Sequence, residues 1–285
     1  MKKNILITGV AGFIGFHTAK LFLDKGYSVH GIDNLNDYYD PKLKLTRLDT
    51  LAKNENFKFS KIDVGNLDQM NEFWERVGGF EHVIHLAAQA GVRYSLENPY
   101  VYINSNVMGQ TILLELCRKQ PNFSHFVYAS SSSVYGGNTD YPFSTNDRTD
   151  DPLSIYAATK RSCELIAQSY RNIYRIPSTG LRFFTVYGPW GRPDMSLFIF
   201  AKAIMEGAKV PIFNNGKMRR DFTYIDDIVN GIYRAHVRPI DLSDDASIHK
   251  VYNLGNNKSE DLMRYLELLQ RALGKKALID FHGMQ

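Results

Sequence analysis

The chain has 285 residues, 44% of them hydrophobic and 22% charged, which suits one large soluble domain or two modest ones. Its formal net charge of +4 is spread along the chain, and neither a basic block nor a run of about 18 apolar residues predicts a nucleic-acid or membrane partner. The apolar start is broken by Gly9, Gly12 and Gly15 too early for a signal peptide. Cys117 and Cys163 lack metal-ligand spacing, so we expect free thiols, a cytoplasmic protein and no metal site.

Short apolar runs alternate with helical patterns through the first part of the chain. Predicted strands are Asn4–Thr8, Ser28–Asp33, Phe57–Asp63, His82–Ala87, Phe123–Ser130 and Ser178–Phe184. Predicted helices run to about Lys25 after the first strand and lie near Leu67–Val77, Pro99–Lys119 and Leu153–Tyr174. This alternation predicts an α/β fold, with a doubly wound parallel sheet covered by helices on both faces.

The regular alternation of strands and helices becomes weaker after about Gly188, where short strands separate the predicted helices. Those helices lie near Ser196–Glu206, Ile225–Val237 and Glu260–Leu273. We therefore expect residues 1–184 to form the main domain and residues 185–285 a smaller, mixed α/β region that supplies substrate contacts. The segment of about 220–237 is a candidate to pack back onto the main domain.

Three glycines at the first strand-to-helix turn predict a dinucleotide site. Gly9, Gly12 and Gly15 would let the backbone approach a pyrophosphate at the helix N-terminus, as in Rossmann folds. Asp33 ends the next strand, where a carboxylate can bind the adenosine ribose and repel a 2′-phosphate. Since no Arg directly follows Asp33, we expect NAD rather than NADP. The alternative for Asp33 is a solvated turn residue.

Two further segments are candidates for cofactor contacts. Asp63 follows the third strand, where it could reach the adenine edge or instead cap the helix near Leu67. The small residues of His85–Gly91 would let a cofactor lie against backbone, or would serve close helix packing. The full candidate set for the cofactor is Gly9, Gly12, Phe13, Ile14, Gly15, Asp33, Asn34, Asp63, Val64, Leu86, Ala87, Ala88, Asn106, Tyr156 and Lys160.

Tyr156 and Lys160 form a Y-x-x-x-K pattern that predicts a redox site. A spacing of four places both side chains on one helix face, and a nearby ammonium favours the ionised form of a phenol. The pattern lies downstream of Ser130–Ser133, at a strand end where this fold binds ligands. Along a strand Ser131 and Ser133 would point to the same side, and either could bind the reacting oxygen. The alternative is an ordinary exposed helix pair.

These motifs, in this order, resemble the extended short-chain dehydrogenase/reductases, and among them the nucleotide-sugar 4-epimerases. Asn34–Leu48, Ala87–Ser95 and Arg182–Ser196 look most like the UDP-glucuronate 4-epimerases, whereas Arg219–Ile228 is similar to extended members more widely. The resemblance implies that Tyr156 removes the 4-hydroxyl proton while NAD takes the C4 hydride. The 4-keto sugar then rotates about its diphosphate linkage, and the hydride returns to its other face.

The resemblance also implies a set of substrate contacts and an assembly. Arg220 is expected on the diphosphate, and Thr185 and Arg192 on the sugar carboxylate; the alternatives are surface charge for Arg220 and a solvent-facing loop residue for Arg192. The full candidate substrate set is Arg93, Ser131, Ser132, Ser133, Thr185, Arg192 and Arg220. Family members pair helices like Pro99–Lys119 and Leu153–Tyr174 into a four-helix bundle, so a homodimer is expected. They also continue for several tens of residues, so we expect the chain to be truncated at its C-terminus.

Several different functions stay open from the sequence. The related 4,6-dehydratases and decarboxylases carry acidic residues where this chain has Ser132 and Ser133, which favours epimerisation. A UDP-N-acetylglucosamine or UDP-glucose 4-epimerase would differ only in its sugar pocket. The motifs are also compatible with a simple NAD-dependent dehydrogenase, and with a protein that binds NAD as a sensor or scaffold without turnover.

Overall fold

The structure is a computed structural model that describes residues 3–283, and the chain divides into two compact units. The first unit comprises the chain up to Phe183 together with Asp226–Leu254. The second comprises Phe184–Ile225 and the chain from Gly255 onward. Within residues 3–283, no helix combines the length and apolarity that a membrane span requires.

A seven-stranded parallel sheet forms the centre of the first unit. Numbered in chain order, its strands are β1 (Asn4–Thr8), β2 (Ser28–Asp33), β3 (Phe57–Lys61), β4 (His82–His85), β5 (His125–Ser131), β6 (Ser178–Phe183) and β10 (His249–Leu254). They lie in the order β3-β2-β1-β4-β5-β6-β10, which confirms the predicted doubly wound fold. Thr8 pairs with Ile32 on one side and His85 on the other, so β2, β1 and β4 end side by side.

Helices flank this sheet and carry much of its core. They are α1 (Phe13–Asp24), α2 (Pro41–Leu51), α3 (Leu67–Val77), α4 (Tyr94–Glu97), α5 (Pro99–Tyr102), α6 (Gly109–Lys119), α7 (Ile155–Tyr174), α9 (Ile225–Val237) and α10 (Asp245–Ile248). A π-helical segment, Ile103–Met108, joins α5 to α6, and a 3₁₀ turn, Ser132–Tyr135, follows β5. One hydrophobic cluster holds α3, α6 and α7 to the strands through side chains such as Phe73, Leu113 and Cys163.

The second unit has its own small sheets and core. Its elements are β7 (Thr185–Tyr187), α8 (Ser196–Glu206), β8 (Lys209–Ile212), a 3₁₀ turn (Phe213–Gly216), β9 (Arg219–Tyr224), β11 (Ser259–Asp261), α11 (Leu262–Leu273) and β12 (Leu278–Phe281). Strand β9 pairs with β11 and β7, and β8 pairs with β12. Apolar side chains of α8, β8 and α11, including Ile204, Val210 and Leu266, form the core.

The main departure from the predicted elements is α2, which the apolar pattern does not indicate. Its buried face includes Lys44 and Arg47, so charged residues stand where a helical pattern would show apolar ones. The local signals are present nonetheless. The Asp40 side chain accepts a hydrogen bond from the Lys42 amide, and Pro41 occupies the first helical position.

Candidate active site

The turn between β1 and α1 is packed so closely that side chains are excluded at two of its glycines. Gly9 has a φ of +69°, and a Cβ there would lie 2.7 Å from the Ala87 amide nitrogen. A Cβ on Gly15 would lie 2.0 Å from the Gly9 carbonyl oxygen. Both glycines therefore allow strand, turn and helix to approach each other closely.

The third glycine leaves the amino end of α1 open. Gly12 is the N-cap of this helix, so no side chain caps the first backbone N–H groups. A Cβ at Gly12 would contact only the Gly9 carbonyl oxygen, at 3.0 Å. Phe13 and Ile14 form the first turn, with the Phe13 side chain buried and Ile14 partly buried. Backbone N–H groups at such an uncapped end suit an anion such as a pyrophosphate.

Asp33 is buried at the end of β2, with 9% of its surface exposed, so the alternative of a solvated turn residue is wrong. Its carboxylate accepts hydrogen bonds from the backbone amides of Leu35, at 2.9 Å, and Ala11, at 3.2 Å. Burial raises the pKa of Asp33, although the two amides and the charges of Lys44 and Arg47 oppose this. The bond to the Ala11 amide thus places the buried carboxylate directly beside the glycine turn.

The helix-cap alternative for Asp63 is wrong, because Asn66 caps α3 by accepting a hydrogen bond from the Gln69 amide. Asp63 instead accepts from the Gly65 amide at 2.8 Å and from the Asn34 side chain at 3.0 Å. The two predicted cofactor residues, Asn34 and Asp63, are therefore brought together across the ends of β2 and β3. Val64, the next candidate, is buried.

Thr8 at the end of β1 organises the loop that follows β4. Its hydroxyl oxygen accepts hydrogen bonds from the amides of Leu86, at 3.1 Å, and Ala87, at 3.0 Å, and lies 2.8 Å from His85 Nδ1. Burial, with a smaller contribution from the charge of Lys160, lowers the pKa of His85 to about 3. Because the Thr8 oxygen already accepts two amide hydrogen bonds, its own O–H is left to donate a hydrogen bond to Nδ1 of neutral His85, and these contacts fix the loop in place.

Asn106 connects the same loop to α7. It lies in the π-helical segment, and its side chain accepts from the Gln89 amide and donates to the Gln89 carbonyl and to the Thr159 hydroxyl, at 2.8, 3.1 and 3.0 Å. Ala88, the preceding residue in the loop, is partly buried. These three bonds fix the position of the loop relative to α7.

The predicted serine pair is close together, but for a different reason from the one expected. β5 ends at Ser131, and Ser132 and Ser133 belong to the 3₁₀ turn, so strand alternation does not align them. The Ser131 hydroxyl oxygen accepts a hydrogen bond from the Ser133 amide at 3.1 Å, and the two hydroxyl oxygens are 3.1 Å apart. The turn therefore presents both hydroxyls at the carboxyl edge of the sheet, and Ser132 is partly buried beside them.

Tyr156 and Lys160 lie on the first turns of α7, which starts at the same edge. Ser154 caps this helix by accepting from the Ala157 amide at 3.0 Å. The Lys160 ammonium is buried and donates to the Ala129 carbonyl at 2.8 Å, so α7 is fixed to β5 just before the serine turn. The Tyr156 side chain stays partly exposed.

A buried ion pair beneath this site was not predicted from the sequence. Glu164, one turn beyond Lys160, accepts hydrogen bonds from Arg182 at 2.8 and 2.9 Å and from the Ser130 hydroxyl at 2.6 Å. Burial raises the pKa of Glu164, but the bonds from Arg182 and Ser130 outweigh it and hold the pKa below its usual value. Arg182 also donates to the Tyr135 hydroxyl at 2.9 Å, so one network ties α7, β5, β6 and the 3₁₀ turn.

The candidate substrate residues divide between the two units. Arg93 is exposed just before α4 in the first unit, and Thr185 and Arg220 lie on β7 and β9 in the second. Arg192, also in the second unit, is partly buried and donates to both carboxylate oxygens of Asp194, at 3.0 and 2.5 Å. Any contact between Arg192 and a sugar carboxylate would therefore have to form while Arg192 is paired with Asp194, or would have to replace that ion pair.

Comparison with known proteins gives concordant matches. Residues 5–255 match the family described as "NAD dependent epimerase/dehydratase family". The chain is 49% identical to "Protein CapI" of Staphylococcus aureus, over 99% of this chain and 87% of that protein. It is 45% identical to the "Probable UDP-glucuronate 4-epimerase" of Rhizobium meliloti, over 98% and 85%. The crystal structure of UDP-glucuronic acid 4-epimerase from Bacillus cereus with UDP-glucuronic acid and NAD has a TM-score of 0.88 and 34% identity, covering 99% of this chain and 86% of that one.

Proposed function

The chain belongs to the NAD dependent epimerase/dehydratase family, and we propose that it inverts C4 of a UDP-sugar, converting UDP-glucuronate to UDP-galacturonate. The family, enzyme class and NAD cofactor expected from the sequence motifs are thereby confirmed. The observation that carries the proposal is the placement of Tyr156 and Lys160 on α7, fixed to β5 next to the paired Ser131 and Ser133 hydroxyls.

The residues at the carboxyl edge fit a dinucleotide. The uncapped start of α1 suits the pyrophosphate, and the buried Asp33 carboxylate suits the adenosine ribose. When bound there, NAD would take up the hydride from sugar C4 and return it to the opposite face. The loop of Leu86, Ala87 and Ala88, fixed by Thr8 and Asn106, would hold backbone against the cofactor.

The side chains of the first unit supply the proton chemistry. Tyr156 would remove the proton from the 4-hydroxyl as general base and later return it. Lys160, one turn further along α7, would keep this part of the helix in place through its hydrogen bond to the Ala129 carbonyl. Ser131 or Ser133 would donate a hydrogen bond to the reacting oxygen. Ser132 and Ser133 stand where the related dehydratases and decarboxylases carry acidic residues, which favours epimerisation over an additional elimination or decarboxylation.

We expect Asp33 to make the site selective for NAD over NADP. The substitution Asp33→Asn keeps the shape but removes the charge that repels a 2′-phosphate. A charged hydrogen bond contributes about 1.5–3 kcal/mol, so the NAD to NADP affinity ratio should fall about 10- to 150-fold. Titration calorimetry measures both affinities, with Asp24→Asn, an exposed carboxylate at the end of α1, as the control. Equal affinity of the unsubstituted protein for NAD and NADP would refute this role.

We propose substrate contacts for Arg93, Thr185, Arg192 and Arg220. Arg220 would bind the diphosphate, because a guanidinium fork suits bidentate phosphate contacts. Thr185 and Arg192 would read the sugar carboxylate, which distinguishes glucuronate from glucose. Arg93 would contribute a further cation from the loop before α4.

Arg192→Leu is expected to lower kcat/KM for UDP-glucuronate about 10- to 150-fold, as the loss of a charged hydrogen bond implies. Any turnover of UDP-glucose should fall far less, since that sugar has no carboxylate. Arg148→Leu is a matched control, because Arg148 also pairs with an aspartate two residues on but is largely exposed. Equal losses on both sugars would mean that Arg192 only shapes its loop.

A panel of UDP-sugars tests the proposed substrate. The protein is incubated with UDP-glucuronate, UDP-glucose or UDP-N-acetylglucosamine, and NMR detects the C4 epimer of each. We expect the highest kcat/KM for UDP-glucuronate. Preference for either neutral sugar would move the assignment to the corresponding 4-epimerase, and no epimer from any sugar would favour a dehydrogenase or a sensor.

We further propose that the protein is a homodimer formed through a four-helix bundle. The helices α5 and α6 pack against α7, and together they leave large apolar side chains exposed. These include Tyr100 on α5 at 82% and Leu165 on α7 at 55% exposed, together with Ile103 at 52% in the π-helical segment between α5 and α6. A second copy placed on this face would cover them and complete a four-helix bundle.

The dimer is expected to dissociate when a charge is placed on this face. Light scattering at micromolar concentration should give twice the mass of the 32.6 kDa chain, and Leu165→Glu should give a monomer. Leu67→Glu, at a comparably exposed leucine that starts α3, should stay dimeric. An unsubstituted protein that is already monomeric would contradict this assembly.

A cytoplasmic location is proposed on chemical grounds. Cys117 and Cys163 are both buried and free, and burial raises the pKa of both thiols, to about 11 for Cys163. Unpaired cysteines are usual in reducing compartments. Cell fractionation against a cytoplasmic marker enzyme tests the location.

A further inference from the structure

The segment after β2 has a defined conformation, but it has no part in the proposed catalytic steps. Asn34 and Asn36 side chains accept hydrogen bonds from amides two residues further on, at 3.1 and 3.3 Å, and Leu35 has a φ of +55°. The Lys44 ammonium of α2 donates to the Asn36 carbonyl and side-chain oxygens, at 2.7 and 2.8 Å. The segment is thus held to α2, and Tyr38 is presented from it.

Tyr38 reaches the loop that follows β4. Its ring lies 5.2 Å from the ring of Tyr94, between centroids. A Cβ on Gly91 would lie 2.8 Å from the Tyr38 hydroxyl oxygen, and Gly91 has a φ of +100°, so glycine is what permits this approach. We call these three residues, Tyr38, Gly91 and Tyr94, the tyrosine bridge.

The topology determines what the tyrosine bridge crosses. β2 and β4 are the two neighbours of β1, and all three strands end side by side. A contact between the loops that leave β2 and β4 must therefore span the carboxyl end of β1, about 10 Å across. The glycine turn and the uncapped start of α1 lie at this end.

The tyrosine bridge is also continuous with the reactive phenol. Tyr102 packs 6.2 Å from Tyr94 and 6.1 Å from Tyr156, and its hydroxyl donates to the Gly91 carbonyl at 2.5 Å. Aromatic rings at these separations attract one another beyond their buried area. A connected row of tyrosines thus runs along the carboxyl edge of the sheet, from the segment after β2, which begins next to Asp33, to Tyr156 on α7.

We infer that the tyrosine bridge closes over the dinucleotide and slows its release. The inference rests on the NAD site of the proposed function, and it gives the segment after β2 a role in retaining the cofactor. An epimerase regenerates NAD in each turnover, so slow release of the cofactor does not limit its rate, whereas a dehydrogenase that oxidises a sugar has to release NADH and bind new NAD. Retention by the bridge therefore suits epimerisation.

The test measures cofactor release in the absence of any UDP-sugar. Protein loaded with fluorescent etheno-NAD is mixed with excess NAD, and the loss of bound fluorescence gives the dissociation rate. Tyr38→Ala and Tyr94→Ala should each release the nucleotide about tenfold faster than the unsubstituted protein. Tyr174→Ala is the matched control, at an exposed tyrosine on the far end of α7, and should change the rate less than about threefold.

The outcomes separate the bridge from the proposed function. Release from both bridge variants within about threefold of Tyr174→Ala would overturn the inference. If Tyr38→Ala fails to fold, Tyr94→Ala, which removes the opposite half of the contact, decides the result. A protein that retains etheno-NAD but epimerises no UDP-sugar would refute the proposed function and leave the bridge intact.

Discussion

Replacing Tyr156 with phenylalanine is expected to reduce turnover of UDP-glucuronate by about 10²–10⁴-fold or more, because the proposed general base is lost. The ring remains, so its packing against Tyr102, with centroids 6.1 Å apart, should be kept. NAD affinity and thermal stability should therefore change little. Steady-state kinetics with UDP-glucuronate, together with calorimetric NAD titration and a melting curve, measure all three quantities.

Tyr174→Phe controls for removing a hydroxyl elsewhere on α7. It lies at the opposite end of the helix and should keep full turnover. Near-normal turnover of Tyr156→Phe would contradict the assigned base. A loss of turnover accompanied by an equal loss of NAD binding would show that Tyr156 acts through the cofactor site instead.

Replacing Arg182 with methionine is expected to lower the free energy of unfolding by about 3–5 kcal/mol, because Glu164 would lose its main partner in a buried position. The side chains of Glu164 and Arg182 are 1% and 3% exposed. Ser130 and Arg161 would still contact Glu164, but Arg161 is on the helix surface and supplies only one bond, at 2.8 Å. Urea unfolding followed by circular dichroism measures the loss.

The control is another arginine–carboxylate pair of the same unit, on the surface. Arg175 and Asp245 are 52% and 65% exposed, so Arg175→Met should cost less than about 1 kcal/mol. The double variant Glu164→Gln with Arg182→Met should recover part of the stability, since neither member of the pair then carries a buried charge. A loss for Arg182→Met as small as that for Arg175→Met would mean that the pair contributes little.

The strongly patterned elements could be predicted from the sequence almost to the residue. Asn4–Thr8, Ser28–Asp33, Leu67–Val77, Ser196–Glu206 and Ile225–Val237 have the predicted bounds. They have clear apolar patterns, and two of the helices also have a left-handed glycine at their C-terminal end, Gly78 after α3 and Gly207 after α8. Where local signals agree with the tertiary structure, the sequence is a sufficient guide.

Elements and contacts decided by tertiary packing were not predictable in the same way. The helix α2 buries Lys44 and Arg47, which is favourable only because the segment after β2, Tyr39 and the Ala11 carbonyl receive their hydrogen bonds. The pairing of Glu164 with Arg182 joins different elements, and no local spacing indicates it.

The candidate site shows the same division. The glycine turn and the Y-x-x-x-K spacing are local, and the structure places them at one sheet edge as expected. The serine pair is also close together, but through a 3₁₀ turn that a repeated-serine sequence does not reveal. For Asp63, the sequence could not separate two roles, because Asn66 three residues later competes for the same helix end.

The most direct test of the central claim is an incubation with UDP-glucuronate in large molar excess over the total NAD, followed by NMR and NADH absorbance. The proposed epimerase regenerates its cofactor, so UDP-galacturonate should accumulate far beyond the amount of NAD, with no net NADH. An oxidised sugar formed in no more than the amount of NAD, with a matching amount of NADH and no UDP-galacturonate, would contradict epimerisation and identify a dehydrogenase.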